Sequence, residues 1–346
     1  MKHFTKLAAL LALVALLCGC TLPGKEPETT LPAPIGNGLT VHYIDVGQAD
    51  CALLECEGEY ILIDGGNAED SSLVVSYLQK QGVEELKAVI CSHAHEDHVG
   101  GLPGVLAVYP TDAVYAPTRT YSSNCFDDFV YYTDQQGLSI TIPEVGDTIS
   151  FGGATAHVLG PVKQYADPNN TSIVLKITYG ATSFLFTGDM ETSAETDLLD
   201  SGTDVQADVL KVGHHGSDTS TGYRFLYEVN PTYAVISVGT QNSYGHPNEI
   251  TLSRLEDADC ITYRTDKLGN IIAFSDGINI SFTWEKSSAA PETGDSANSV
   301  YIGNTKSKKL HVEGCASLPS EDNRTTFDSY DDAINAGYTP CGNCMS

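Results

Sequence analysis

The chain has 346 residues and a formal net charge of −27 at pH 7, with 41% hydrophobic and 18% charged residues. That balance is globular and excludes a collagen-like, coiled-coil or wholly disordered chain, while the length suits a large α/β domain with an appendix. So acidic a chain also excludes a broad basic groove for nucleic acid, and any phosphate must be held locally, for example by a metal ion.

Chain order starts with an expected export signal. Lys2, His3 and Lys6 precede the apolar run Leu7–Leu17, which is too short to span a bilayer and fits a signal-peptide core. Leu17-Cys18-Gly19-Cys20 resembles a lipobox cleaved before a cysteine that then receives lipid, and Gly19 favours Cys20 as that residue. An ordinary secreted protein with incidental cysteines is the alternative. Residues 1–20 thus read as a lipoprotein signal peptide and residues 21–37, rich in Pro, Gly, Glu and Thr, as a tether. The expected location is extracytoplasmic, lipid-anchored at the outer face of a bacterial cell membrane.

Next come Leu39–Val46, Ala52–Glu57 and Tyr60–Ile63, three apolar or alternating runs that predict consecutive antiparallel strands. Ser71–Gln81 has helical spacing and stops at Gly82, and Lys87–Cys91 reads as a buried strand. Ser172–Tyr179 and Ser183–Phe186 read as a hairpin around Gly180. A helix (Glu191–Leu199), a strand (Ala207–Val212), a helix (Tyr223–Val229) and a strand (Tyr233–Val238) follow. Asn248–Asp257 reads as a helix, and Ile261–Tyr263, Ile271–Phe274 and Ile278–Phe282 as closing strands. Strand clusters mixed with helices of this length predict two sheets packed face to face with helices outside. Residues 38–285 are the expected main domain, the small polar stretch 286–298 a linker, and 299–346 a compact tail. Cys51, Cys56, Cys91, Cys125 and Cys260 are an odd, scattered five and read as small buried hydrophobes rather than a disulfide framework.

The densest chemistry is Ser92-His93-Ala94-His95-Glu96-Asp97-His98, just past a predicted strand. Neutral imidazole and carboxylate are the ligands that zinc and similar divalent ions take. A turn there can aim His93 and His95 at one point and Asp97 and His98 at a neighbouring one. Later strands deliver further donors: Asp189 after Phe184–Phe186, the pair His214-His215 after Val209–Val212, and His246 after Tyr233–Val238. Convergent deliveries of this kind mark a site, although each alone is an ordinary turn or surface residue.

His93-Ala-His95-Glu-Asp97-His98 resembles the signature of the metallo-β-lactamase superfamily. Finer details resemble the exported hydrolase domain of ComEC-type DNA-uptake proteins: Tyr43-Ile44-Asp45-Val46-Gly47-Gln48-Ala49-Asp50, Leu62-Ile63-Asp64-Gly65-Gly66, Asn169-Asn170-Thr171-Ser172, Thr187-Gly188-Asp189, His214-His215-Gly216-Ser217, Tyr244-Gly245-His246-Pro247 and Arg264-Thr265-Asp266. The match runs in order from about residue 39 to 284; Ala49 stands where the family motif usually has a second Gly. The resemblance implies an α/β fold, the αβ/βα metallo-β-lactamase sandwich, with two divalent ions (Zn or Mn) at its edge. It implies His93 and His95 on metal 1, Asp97 and His98 on metal 2, Asp189 bridging, and His215 or His214 completing metal 2. Many members add a third His to metal 1 from a strand before the bridging Asp; here Asn170 and His157 are the candidates, or water. Asp97 or Asp189 is the expected proton acceptor, and His246 a ligand, phosphate contact or proton donor.

Two ions of this kind acidify a shared water for attack and draw the substrate oxygen into line. The reading is an extracytoplasmic metal-dependent phosphodiesterase or nuclease, with DNA the first substrate considered. Lys211, Arg264 and Lys267 are the cations near the motifs, too few for a groove, so a small phosphodiester or an envelope phosphoester such as a phosphorylcholine ester competes with DNA. A β-lactam, lactone or thioester hydrolase of the same fold and a non-catalytic surface binding protein are the other readings. In the tail, His311, Cys315, Cys341 and Cys344 are spaced to close a tetrahedron around one structural zinc. The tail's Tyr301-Ile302-Gly303-Asn304 and Asp332–Cys341 segments resemble an Ada-type metal-binding domain. A Cys341–Cys344 disulfide with Cys315 free, or two disulfides involving the core cysteines, is the alternative in an oxidising milieu.

Overall fold

Apolar runs broken by Gly, Asp and Asn turns dominate the chain, and their order sets its layers. The computed structural model describes residues 38–286, 289–293, 301–312, 315, 317–327, 330–342 and 344–345. The expected signal peptide, its Cys20 and the tether lie outside the described residues. Strands β1 (Leu39–Tyr43), β2 (Ala52–Cys56), β3 (Glu59–Ile63), β4 (Ala88–Ile90), β5 (Val114–Tyr115) and β6 (Ile140–Thr141) open a first sheet. Strands β7 (Thr148–Phe151), β8 (Ala154–Gly160), β9 (Val174–Tyr179), β10 (Thr182–Phe186), β11 (Val209–Lys211), β12 (Tyr233–Ile236) and β13 (Ile261–Arg264) build a second. The chain returns to the first sheet with β14 (Ile271–Ser275) and β15 (Ile280–Trp284), then to the second with β16 (Glu292–Thr293). The sheet orders are β15-β14-β1-β2-β3-β4-β5-β6 and β16-β13-β12-β11-β10-β9-β8-β7.

One apolar layer lies between the sheets, where Val41, Tyr43, Leu54 and Ile61 share a core with Phe151, Phe184, Phe186, Val209 and Val235. Helices Ser71–Lys80, Leu102–Val108 and Asn124–Gln135 cover the outer face of the first sheet through Val74, Leu78, Val105, Phe126 and Phe129. Helices Thr192–Asp200, Tyr223–Val229 and Glu249–Asp257 cover the second through Leu198, Phe225, Leu226 and Leu255. This is the expected αβ/βα sandwich. Cys51, Cys56, Cys91 and Cys260 are buried in it as thiols. Among the described residues no helix is long and apolar enough to cross a membrane.

Strands β3 and β4 run parallel, as do β10, β11 and β12. Their C-terminal ends therefore share one rim, and the loops that leave them carry the candidate donors. Gly101 sets how closely two of these loops approach: a Cβ there would fall 2.0 Å from the Gly65 carbonyl oxygen.

Two departures from the sequence reading concern the edges. Glu292-Thr293, expected within a linker, pairs with Ile261 and Thr262 as β16, because a two-residue edge strand leaves no pattern in a small polar stretch. The tail forms its own four-stranded sheet from β17 (Tyr301–Asn304), β18 (Lys309–His311), β19 (Arg324–Phe327) and β20 (Thr339–Pro340), in the order β19-β17-β18-β20. Its small core of Tyr301, Leu310, Ala333, Tyr338 and Met345 is shared with Tyr223.

Candidate metal centre

The loop after β4 turns at once into a short helix, Glu96–Val99, whose N-cap is His95. That start places Asp97 and His98 in the first turn, while His93 lies ahead of it, fully buried. Asp64, leaving the neighbouring β3, fixes this loop. One of its carboxylate oxygens accepts from the Ser92 N–H at 2.7 Å and the other from Ser92 Oγ at 2.7 Å. The second oxygen also lies 2.9 Å from His98 Nδ1. A carboxylate facing Nδ1 keeps the proton there and leaves the His98 Nε2 lone pair aimed the other way.

From the second sheet, Gly188 lets the chain turn with φ +51 so that Asp189 points back to the rim. A Cβ at Gly188 would come within 3.0 Å of the Ser172 and Ser92 side chains. Beyond β11, His214 and His215 both take left-handed backbone, φ 50 and 53. His215 Nδ1 lies 3.0 Å from the Ser237 carbonyl oxygen, an acceptor only, so the proton sits on Nδ1 and Nε2 is free to bind. Asp50 Oδ1 reinforces this at 3.2 Å, and Lys211 Nζ holds the other Asp50 oxygen at 2.8 Å.

The free nitrogens and the carboxylates converge. His98 Nε2 is 3.2 Å from Asp189 Oδ1, and His215 Nε2 is 3.3 Å from Asp97 Oδ2 and 3.7 Å from Asp189 Oδ2. Donor atoms of Asp97, His98, Asp189 and His215 all fall within 4.8 Å of one another. Asp189 Oδ2 also faces His93 Nε2 at 3.9 Å and His214 Nε2 at 3.7 Å, and His93 Nε2 meets His95 Nδ1 at 3.0 Å. Asp189 is thus central to both groups.

Three of these atoms, His98 Nε2, His215 Nε2 and Asp189 Oδ1, are buried without a hydrogen-bond partner. Each orphan of that kind costs about 1–3 kcal/mol, and two lone pairs beside a carboxylate oxygen is the donor set a divalent cation satisfies. The residues fit a metal. Titration points the same way. Burial works against charge on His98 and His215, yet Asp189 with Asp64 and Asp97 holds His98 well above its ordinary value. Asp189 and Asp50 push His215 up to about 10. Burial opposes ionisation of Asp97, but His98 and His215 bring it down to about 2. Four carboxylates, Asp50, Asp64, Asp97 and Asp189, therefore draw positive charge into this pocket. His93 is different: burial and the nearby His98 hold it well below its ordinary value, whereas a cation binding at His98 and His215 would have to displace the proton that the carboxylates favour there.

Two sequence candidates fall elsewhere. His157 sits mid-strand on β8, between Ala156 and Val158 of the inter-sheet core, so alternation turns it to the opposite face. There its Nε2 lies 3.1 Å from Thr178 Oγ1. Asn170 is buried, but its carbonyl oxygen accepts from the Glu191 N–H at 3.0 Å. It braces Glu191, whose carboxylate lies 3.7 Å from His214 Nδ1. The neighbouring Asn169 lines the cavity instead, with its side-chain oxygen buried and unpartnered. Asp50 and Asp64 lie in the quoted motifs without a role there that the residues alone reveal, and Lys211 counts in the sequence only as a nearby cation. Only the parallel alignment of β3 with β4 and the turn before β2 bring those two carboxylates behind the imidazoles.

The cavity over the centre holds about 800 Å³ and is lined by His95, Asp97, Asp189, His214, His215 and His246 together with Asp45, Glu69 and Asp70. Among the described residues no Lys or Arg lines it. His246 is half-buried, its ring 5.6 Å from that of His214 and its Nδ1 without a partner. Burial, then His214 and His215, push His246 below its ordinary value, so it is a neutral imidazole at pH 7 and a poor proton donor. In the tail, donor atoms of His311, Cys315, Cys341 and Cys344 also lie within 4.8 Å of one another, with His311 Nδ1 3.4 Å from Cys315 Sγ.

A family model described as the metallo-beta-lactamase superfamily matches residues 44–240. The chain is 30% identical over 250 residues to ComE operon protein 3 of Bacillus subtilis (strain 168), covering 67% of this chain and 32% of that one. It is 30% identical over 236 residues to competence protein ComA of Neisseria gonorrhoeae, again covering 67% and 32%. The chain thus spans 32% of the length of each of these curated relatives. Among solved structures it is similar to the metallo-beta-lactamase fold protein YhfI from Bacillus subtilis, at 14% identity and a TM-score of 0.47, over 69% of this chain and 100% of that one.

Proposed function

The chain belongs to the metallo-beta-lactamase superfamily, in the branch of the ComEC-type competence proteins, and we propose that this metallo-hydrolase cleaves phosphodiesters. The observation that carries the reading is the convergence of buried, unpartnered His98 Nε2, His215 Nε2 and Asp189 Oδ1 beneath an open cavity. His93 and His95 with Asp189 would hold one divalent ion, and Asp97, His98, Asp189 and His215 a second. Ions bound there stabilise charge on a phosphoryl oxygen and acidify a water.

The protein's own groups do the rest. Asp64 and Asp50 orient His98 and His215 through their Nδ1 protons, so neither imidazole swings on substrate entry. Asp97, with its side chain 31% exposed against 2% for Asp189, is the more open of the two carboxylates in the ligand cluster and is the group placed to take a proton. Neutral His246 offers a hydrogen bond to substrate rather than a charge. Because no basic side chain among the described residues lines the cavity, a phosphate entering this acidic molecule would depend on divalent ions held by these residues.

The tail is read as a closed structural zinc site of His311, Cys315, Cys341 and Cys344; with four protein donors, no position stays open for a substrate. The Leu17-Cys18-Gly19-Cys20 motif supports lipid attachment at Cys20 and work outside the cytoplasm.

The test is a hydrolysis panel with added Mn²⁺ or Zn²⁺: single-stranded DNA, bis-p-nitrophenyl phosphate, a phosphorylcholine ester and nitrocefin. Phosphodiester turnover that disappears in Asp189→Ala supports the reading. Turnover of nitrocefin with no phosphodiester cleaved refutes it.

A further inference from the structure

The loop from Gly239 to Pro247 carries an aromatic side chain that the chemistry above does not use. Tyr244 is 72% exposed, yet it lines the same cavity as the metal ligands. Its ring lies nearly parallel to that of His246, 5.8 Å away at 25°. His246 in turn stands edge-on to His214 at 5.6 Å, and His214 Nε2 is 3.7 Å from Asp189. Three rings therefore lead in a row from the metal centre to the mouth of the cavity, and the outermost presents a bare face.

The loop is held in this shape. Asn242 donates through Nδ2 to the carbonyls of Gly239 at 3.0 Å and His246 at 2.6 Å. Its Oδ1 accepts from the N–H groups of Tyr244 at 3.1 Å and His246 at 3.0 Å. One side chain thus ties both aromatic residues to the end of β12. A loop backbone fixed this way loses little freedom when something stacks on the ring it carries.

Charge decides what that something is. The cavity is walled by Asp45, Glu69 and Asp70 and, among the described residues, by no Lys or Arg, on a molecule of net charge −27. A duplex, with two phosphate backbones and its bases hidden, has nothing to gain from such a wall. A single-stranded or short nucleotidyl diester needs one phosphate at the centre, and its base is free to stack at the cavity mouth, beyond the His214 and His246 rings. We propose that Tyr244 is a base-stacking platform that selects single-stranded nucleotidyl phosphodiesters by a non-ionic contact. This rests on the phosphodiesterase reading above. Stacking of a base on an aromatic side chain is worth about a tenfold change or more in affinity and is indifferent to sequence.

The experiment compares full-length protein with Mn²⁺ on an end-labelled oligothymidylate, the same strand built of abasic residues, its duplex, and a polyol phosphodiester. Wild type is expected to favour the thymidylate strand over the abasic strand by about tenfold in kcat/KM, mostly through KM. Tyr244→Ala should collapse that ratio towards one, and Tyr244→Trp should preserve it while its emission is quenched on binding. Equal cleavage of the thymidylate and abasic strands by wild type, an unchanged ratio in Tyr244→Ala, or preference for the duplex or the polyol diester overturns the platform alone. Failure of wild type to cleave any of the four sinks the phosphodiesterase reading and the platform with it.

Discussion

Two clusters of metal-type donors occur in this chain, and they are built on opposite plans. The rim cluster uses imidazoles and carboxylates from the loops after β3, β4, β10 and β11, and lies under an open cavity of about 800 Å³. The tail cluster uses three thiols and an imidazole in a segment with a core of a few residues. Hard oxygen donors and an open side suit exchange of water and substrate; thiolates closed on four sides suit a staple. The two also differ in what lies around them: the rim cluster stands at the edge of the extensive core between the sheets, whereas the tail's core is a handful of residues, the setting in which a metal staple adds most.

Substitutions can break this contrast. The largest effect is expected at Asp189, which touches both ligand groups: Asp189→Ala should reduce hydrolysis to background and lower the rim metal content, measured by activity and elemental analysis, while leaving zinc in the tail. Next, Asp64→Asn and Asp50→Asn remove the groups behind His98 and His215. Each should weaken rim metal affinity about 10–100-fold, read as a shift in the Mn²⁺ or Zn²⁺ concentration needed for half activity. An unchanged requirement would remove both carboxylates from the site. Cys341→Ser should do the reverse of Asp189→Ala, with zinc lost from the tail, a lower melting temperature for that segment, and rim hydrolysis within about twofold of wild type.

A pH effect away from both clusters sharpens the baseline. Glu195 is buried and accepts from the N–H groups of Thr221 and Gly222. Burial outweighs those bonds and the nearby Arg254, and raises its carboxyl from 4.5 to about 7. The folded state therefore keeps a proton that the unfolded chain releases. Its contribution to stability is complete below about pH 4.5 and is lost as pH rises towards 7. Glu195→Gln should flatten the melting profile across that window, by up to about 3 kcal/mol in the difference between the two proteins.

Much of the rim site is legible before folding because its donors are local in sequence. His93, His95, Asp97 and His98 fall within six residues after an apolar strand, and that spacing is visible without a model. Asp189, His214 and His215 are visible for a related reason, each following an apolar run. Residues 102–141 were harder: β5 and β6 are two residues each, too short for alternation to register. His157 misled because a histidine near a site in sequence can point to either face of a strand, and only the pairing of β8 with β9 shows which. Asn169 and Asn170 are chemically identical, so nothing but the backbone turn decides which one faces the cavity.

The sequence by itself determined the kind of chemistry, since ligand type and the order of donors after strands are properties of the covalent chain, and likewise the two-sheet architecture, since apolar periodicity is. Tertiary structure alone decided which nitrogen of each imidazole faces the other donors, because the ring's orientation is set by what stands behind it: Asp64 for His98, Ser237 and Asp50 for His215. It alone also put Tyr244 in line with His246 and His214. Both outcomes depend on contacts between residues far apart along the chain, and such contacts exist only once the sheets have closed on their shared core.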